Sequence, residues 1–125
     1  MIFASVILPW AKTSELSANS RLHWRKRHAL VKAQKRTADA LAREAGWHKV
    51  SIPDDAQISV RLTFCPPSRG AAPDLDNALT AQKGALDALA DVLRVNDRRF
   101  QIRVERGDPC RYGAVIVRME VGLRC

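Results

Sequence analysis

Between residues 56 and 64 the chain alternates without a break: Ile58, Val60, Leu62 and Phe64 are apolar, and Ser59, Arg61 and Thr63 between them are polar. Successive side chains of a strand point to opposite faces, so this pattern describes a strand with one buried and one wet face. Pro66-Pro67 ends it. The next periodic stretch changes its repeat. Leu75, Leu79, Leu86, Leu89 and Leu93 recur at helical spacing, which predicts an amphipathic helix over roughly 75–93. A half-buried strand passing into such a helix requires a sheet covered on one side.

The rest of the chain fits that frame. Residues 2–8 (IFASVIL) read as a buried strand stopped by Pro9, and residues 11–24 as a loop rich in Ser, Ala and Asn. A helix is expected over roughly 25–45, with Leu30, Ala38, Leu41 and Ala45 on its apolar side and Gly46 as its stop. Phe100, Ile102 and Val104 alternate with Gln101, Arg103 and Glu105; a Gly107-Asp108-Pro109 turn then leads to a last strand over 114–121. The order β-α-β-α-β-β, with the final two strands adjacent, predicts an α+β fold: a small mixed sheet packed against two helices. No repeat or linker divides the 125 residues, so one domain over 1–125 is expected.

Charge narrows the choice of partner. The net charge is +8 and the pI about 10.1, which favours a polyanion. The charge is unevenly spread. From Asp74 to Asp97 five aspartates (74, 76, 87, 91 and 97) face only Lys83 and Arg94, and the remaining 19 basic and 8 acidic residues carry +11. An acidic island in a basic surround suits a nuclease that shares metal ions with phosphates. No apolar run has the length of a membrane span, and no secretory leader is expected. Cys65, Cys110 and Cys125 are odd in number and lack C-x-x-C spacing, which argues for a reducing, cytoplasmic setting.

Pro73-Asp74-Leu75-Asp76-Asn77 lies where the strand's exit loop enters the helix. Magnesium takes hard oxygen ligands, commonly one or two carboxylates with waters and substrate phosphate, and Asp74 and Asp76 meet that need. Aspartate is equally a favoured helix N-cap, so these residues by themselves leave both roles open. Asp97, just before a strand, is either a turn residue or a third carboxylate. It becomes a ligand if the sheet returns that strand beside the Asp74–Asp76 loop.

At these residues the chain resembles the RusA family of Holliday-junction resolvases. The resemblance rests on Asp74-Leu75-Asp76-Asn77, on a helix bearing Lys83 and Ala85-Leu86-Asp87-Ala88-Leu89, and on Asp97 opening the next strand. The opening Leu8-Pro9-Trp10, followed by Ser17-Ala18-Asn19-Ser20-Arg21-Leu22-His23-Trp24, is similar to that family's as well. The resemblance implies a homodimer that binds four-way DNA junctions in recombination and repair. It would nick two strands symmetrically with Mg²⁺ or Mn²⁺, using Asp74, Asp76 and Asp97 as metal ligands and Lys83 as an assisting cation. Two departures stand out. Ala71-Ala72-Pro73 replaces the basic residues expected before Asp74, leaving Arg69 as the nearest cation. Lys83 lies seven residues after Asp76 instead of four, where Thr80 stands. The same lysine could be a surface partner of Asp87 one turn on. Asn19, Arg21, Arg25, Lys26, Arg27, Arg69, Arg98 and Arg99 are the expected DNA contacts, with Trp24 a stacking candidate. A non-catalytic DNA-binding module, a basic interaction subunit and a nuclease for other branched DNA are the rival expectations.

Overall fold

The computed structural model describes residues 2–18, 20–70 and 72–123. Strand β1 (Ile2–Pro9) is followed by a short helix α1 (Thr13–Leu16), the long helix α2 (Trp24–Glu44) and strand β2 (Ala56–Cys65). Helices α3 (Leu75–Ala81) and α4 (Lys83–Leu93) lead to strands β3 (Phe100–Arg106) and β4 (Ala114–Leu123). The fold is α+β with a mixed four-stranded sheet, as expected, but the arrangement differs in two ways.

The first difference is strand order, β1-β4-β2-β3. The final two strands are not neighbours. β4 runs antiparallel between β1 and β2, and β3 lies outside β2, parallel to it. A helical crossover from β2 delivers the next strand parallel, so β3 completes a strand–helix–strand unit with β2. Residues 107–113 then carry the chain across the end of β2 to the central position. They are fixed there by bonds from Gly107 N to Phe64 O (2.9 Å) and Cys110 N to Pro66 O (3.0 Å). Burial explains the choice of centre. Val115, Val117, Met119 and Val121 of β4 are all buried, whereas β3 buries only Phe100. The strand with the more complete apolar face takes the inside.

The second difference is that the helix expected over 75–93 is interrupted at Gln82, and α1 adds a turn within the expected loop. Gln82 is almost wholly buried, and its side-chain amide donates to Pro9 O at 3.3 Å. Gln34 of α2 donates to Ala81 O at 2.8 Å, satisfying a carbonyl next to the break. The two helices approach closely here: a Cβ on Gly84 would lie 2.5 Å from Gln34 Oε1. Leu86, Leu89 and Leu93 of α4 and Ala38 and Ala42 of α2 pack with Ile58, Val60, Leu62 and Phe64 in one core.

Gly46, at φ 87°, ends α2 as its sequence position foretold. The next residue, Trp47, is fully buried and donates from Nε1 to the Ser5 carbonyl at 3.1 Å, tying the end of α2 to strand β1. Trp47→Phe should therefore lower stability by about 1–3 kcal/mol, through a lost hydrogen bond and an imperfectly filled site. Urea denaturation measures it, and an unchanged midpoint would remove Trp47 from the account of the fold.

Candidate functional site

Asp74 follows Pro73 in extended conformation (φ −68°, ψ 159°) and is the N-cap of α3. One carboxylate oxygen accepts from Asn77 N at 2.8 Å and the other from Asn77 Nδ2 at 3.3 Å. Asp76 lies in the first helical turn, where the helix dipole favours a negative charge. Both aspartates are exposed. The capping role is thus realised, and it leaves lone pairs on both carboxylates facing solvent.

Asp97 stands elsewhere. Asn96 accepts from Arg98 N at 2.9 Å and starts a 3-10 turn over Asp97–Arg99. The Arg99 guanidinium clamps this turn to the beginning of β2 by donating to Pro53 O and Ala56 O, each at 2.9 Å. Because β3 is parallel to β2, Asp97 sits at the end where β2 begins, whereas the chain toward Asp74 leaves from its other end. The returning strand therefore does not bring Asp97 beside the Asp74–Asp76 loop, as the sequence had suggested.

Asp97 meets Asp87 of α4. Burial of Asp87, then the hydrogen bond and negative charge of Asp97, hold the Asp87 carboxyl above the usual carboxylate range, while Lys83 and Lys35 pull it down. Asp76 lies in the first turn of α3 and Asp87 in α4, on opposite sides of the break at Gln82. The acidic side chains thus form two stations, Asp74 with Asp76 and Asp87 with Asp97. Among the described residues no three Asp, Glu, His or Cys side chains converge closely enough to hold one ion. Lys83 belongs to the second station. Thr80, its rival from the spacing, donates to Asn77 O at 3.1 Å and accepts from Ala18 N at 3.3 Å. Asp87 had entered the sequence argument as a member of the acidic island and a surface partner of Lys83, not as a site residue; its meeting with Asp97, ten residues on, depends on how the chain turns between α4 and β3.

The expected DNA contacts divide. Arg21, Arg25, Lys26, Arg69 and Arg98 are exposed. Arg25 lies over the ring of Trp24, 5.3 Å from its centroid, and Trp24 is 67% exposed and stacked on His23. Arg27 is occupied, donating to Leu16 O at 3.3 Å, as Arg99 is by its clamp. Asn19 lies outside the described residues, as does Cys125. Cys65 and Cys110 are free thiols, and no helix among the described residues is long and apolar enough to cross a membrane.

Fold and site together define an α+β domain with a mixed sheet, a helical face and paired exposed aspartates at a helix start. No family model matches the sequence. The chain is 37% identical over 113 residues to an uncharacterized protein of Xylella fastidiosa (strain Temecula1), an alignment that spans 90% of this chain and 72% of that protein. It belongs to the same family as that protein.

A carboxyl with a raised native-state pKa weakens the folded state as it ionises: the penalty is absent below the ordinary aspartate value and grows as pH rises through the raised one. Asp87→Asn should accordingly melt higher than the parent at pH 7, and the difference should vanish near about pH 3.5. A variant no more stable at pH 7 than in acid, relative to the parent, would contradict the raised Asp87 carboxyl.

Proposed function

We propose that this chain is a metal-dependent, RusA-like endonuclease that acts on four-way DNA junctions as a homodimer, in recombination and repair. The observation that supports it best is the pair of exposed carboxylates, Asp74 and Asp76, at the start of α3 in a chain of net charge +8. The donor set is all oxygen, and Asp74 retains free lone pairs after capping, which suits Mg²⁺ or Mn²⁺ bound by one or two carboxylates with waters and a substrate phosphate. A divalent ion held there would supply an activated water and charge stabilisation for the phosphate. Asp74 and Asp76 hold that ion; Arg69, five residues before Asp74, faces the same phosphates. Lys83, in the second station with Asp87 and Asp97, stabilises charge further along the backbone. A two-fold dimer would present one such set to each of two opposed strands.

The separation of Asp97 from Asp74 and Asp76 favours a second reading, a DNA-binding module of the same fold without catalysis. Incubation with labelled four-way junction, flap and duplex DNA, with and without Mg²⁺, separates the two, and the flap arm identifies a nuclease for other branched DNA. A chain that binds junctions and never nicks them is the module.

Asparagine caps a helix about as well as aspartate. Asp74→Asn therefore keeps α3 intact, and it should abolish nicking while junction binding survives. Asp76→Asn should act alike, whereas Asp97→Asn, away from the ion, should slow nicking less than either; full nicking by Asp74→Asn or Asp76→Asn would end the metal assignment. Lys83→Ala should leave stability nearly unchanged and slow nicking roughly tenfold, about 1.4 kcal/mol of barrier. Nicking at the parental rate would make Lys83 an ordinary surface residue.

A further inference from the structure

The helices cover one face of the sheet, and the other is open. On that open face the register sets Arg61 of β2 directly opposite Arg118 of β4 and directly opposite Arg103 of β3. Three exposed arginines thus form one row across three strands, spaced by the inter-strand distance of roughly 4.8 Å. Like charges directly opposite one another destabilise a sheet. None of the three is in an ion pair: among the described residues the ion pair formed is Arg43 with Asp39. Arg118 reaches Thr63 Oγ1 at 3.5 Å and that hydroxyl donates to Glu105 at 2.7 Å, so one carboxylate is linked to Arg118 at the end of the row, while Arg61 and Arg103 stay outside any ion pair. The row borders a concavity of about 420 Å³ that is also lined by Gln101, Glu120 and Phe3, the last 70% exposed.

We propose that this open sheet face, centred on Arg118, Arg61 and Arg103, binds the phosphates of a single DNA strand, with Phe3 as a platform for one of its bases. Charge complementarity carries the choice. An unpaired cationic row calls for an anionic partner, and closely spaced guanidiniums match successive phosphodiesters. The exposed ring beside the row adds what single strands use and duplexes do not, a surface for an unstacked base. A two-fold contact between copies centred on this row would set arginines against arginines. The surface is separate from the basic residues of α2 and from both acidic stations. The proposal rests on the DNA-directed reading above and does not require cleavage.

The test is fluorescence anisotropy with a labelled oligothymidylate of about 20 nucleotides in EDTA, so that no cutting intervenes. Arg61→Gln/Arg103→Gln should bind roughly tenfold more weakly at about 100 mM salt, with a salt slope shallower by about 1.4, two single-strand phosphate contacts. Its melting temperature should equal or exceed the parent's, because repulsion has been removed. Arg61→Lys/Arg103→Lys should retain most of the binding, and Phe3→Ala should weaken binding without changing the salt slope. Lys12→Gln/Lys49→Gln, with the same net charge as the first variant, should bind like the parent. If Arg61→Gln/Arg103→Gln binds like that control, the sheet-face site is wrong and DNA binding resides elsewhere. If the variant binds like the parent but sediments as a smaller species, the face is a contact between copies and the proposal falls. If the parent binds a labelled four-way junction but not the oligothymidylate, the proposal falls alone; if it binds neither, the proposal and the DNA-directed reading fall together.

Discussion

The antiparallel pairing of β2 with β4 runs from Ala56↔Leu123 to Cys65↔Ala114, and the other parts of the fold hang from it. It joins two apolar faces, Ile58, Val60, Leu62 and Phe64 on one strand and Val115, Val117, Met119 and Val121 on the other, into the floor of the core. A slip of one residue would turn the slipped strand's set toward solvent, so the register is strongly held. The same register decides what the opposite face presents. Because Arg61 and Arg118 alternate with those core residues, burying one set lines up the other. The arginine row is a consequence of the core's periodicity, and its electrostatic cost is carried by the burial on the far side.

The break at Gln82 has a similar reach. An uninterrupted helix over 75–93 would be long and straight; the break lets α3 turn toward α1 while α4 stays against α2. Gln34 covers the Ala81 carbonyl at the break, and the buried Gln82 amide ties the break to Pro9 at the end of β1, so the interruption is hydrogen-bonded and not frayed. Functionally it divides the acidic island. Asp74 and Asp76 go with α3, and Lys83 and Asp87 go with α4, where Asp97 joins them. The spacing of Lys83 from Asp76 therefore counts across two helices, and arguments from a single helical face do not transfer to it.

Much of this was legible in the residues. The alternation over 56–64, the stop at Gly46 and the start of a helix at Asp74 follow from local rules, because side-chain periodicity and capping involve neighbours a few positions apart. Trp47 was not legible: nothing beside Gly46-Trp47-His48 announces a bond to the carbonyl of Ser5 on a distant strand. Nor was the meeting of Asp87 with Asp97.

By itself the sequence determined the α+β class, the identity of most strands and helices, the basic surround and the aspartates at the helix start. Each depends on composition or on spacing within a few residues. The tertiary structure alone decided that β4 sits inside and β3 outside, that the helix breaks at Gln82, that Asp97 stands with Asp87 and that three arginines share one row. Three of these are contacts between segments far apart in the chain, and the fourth, Asp97 with Asp87, depends on how the helices seat on the sheet. Their outcome is set by which apolar face buries more completely, a competition among whole elements that no local pattern records.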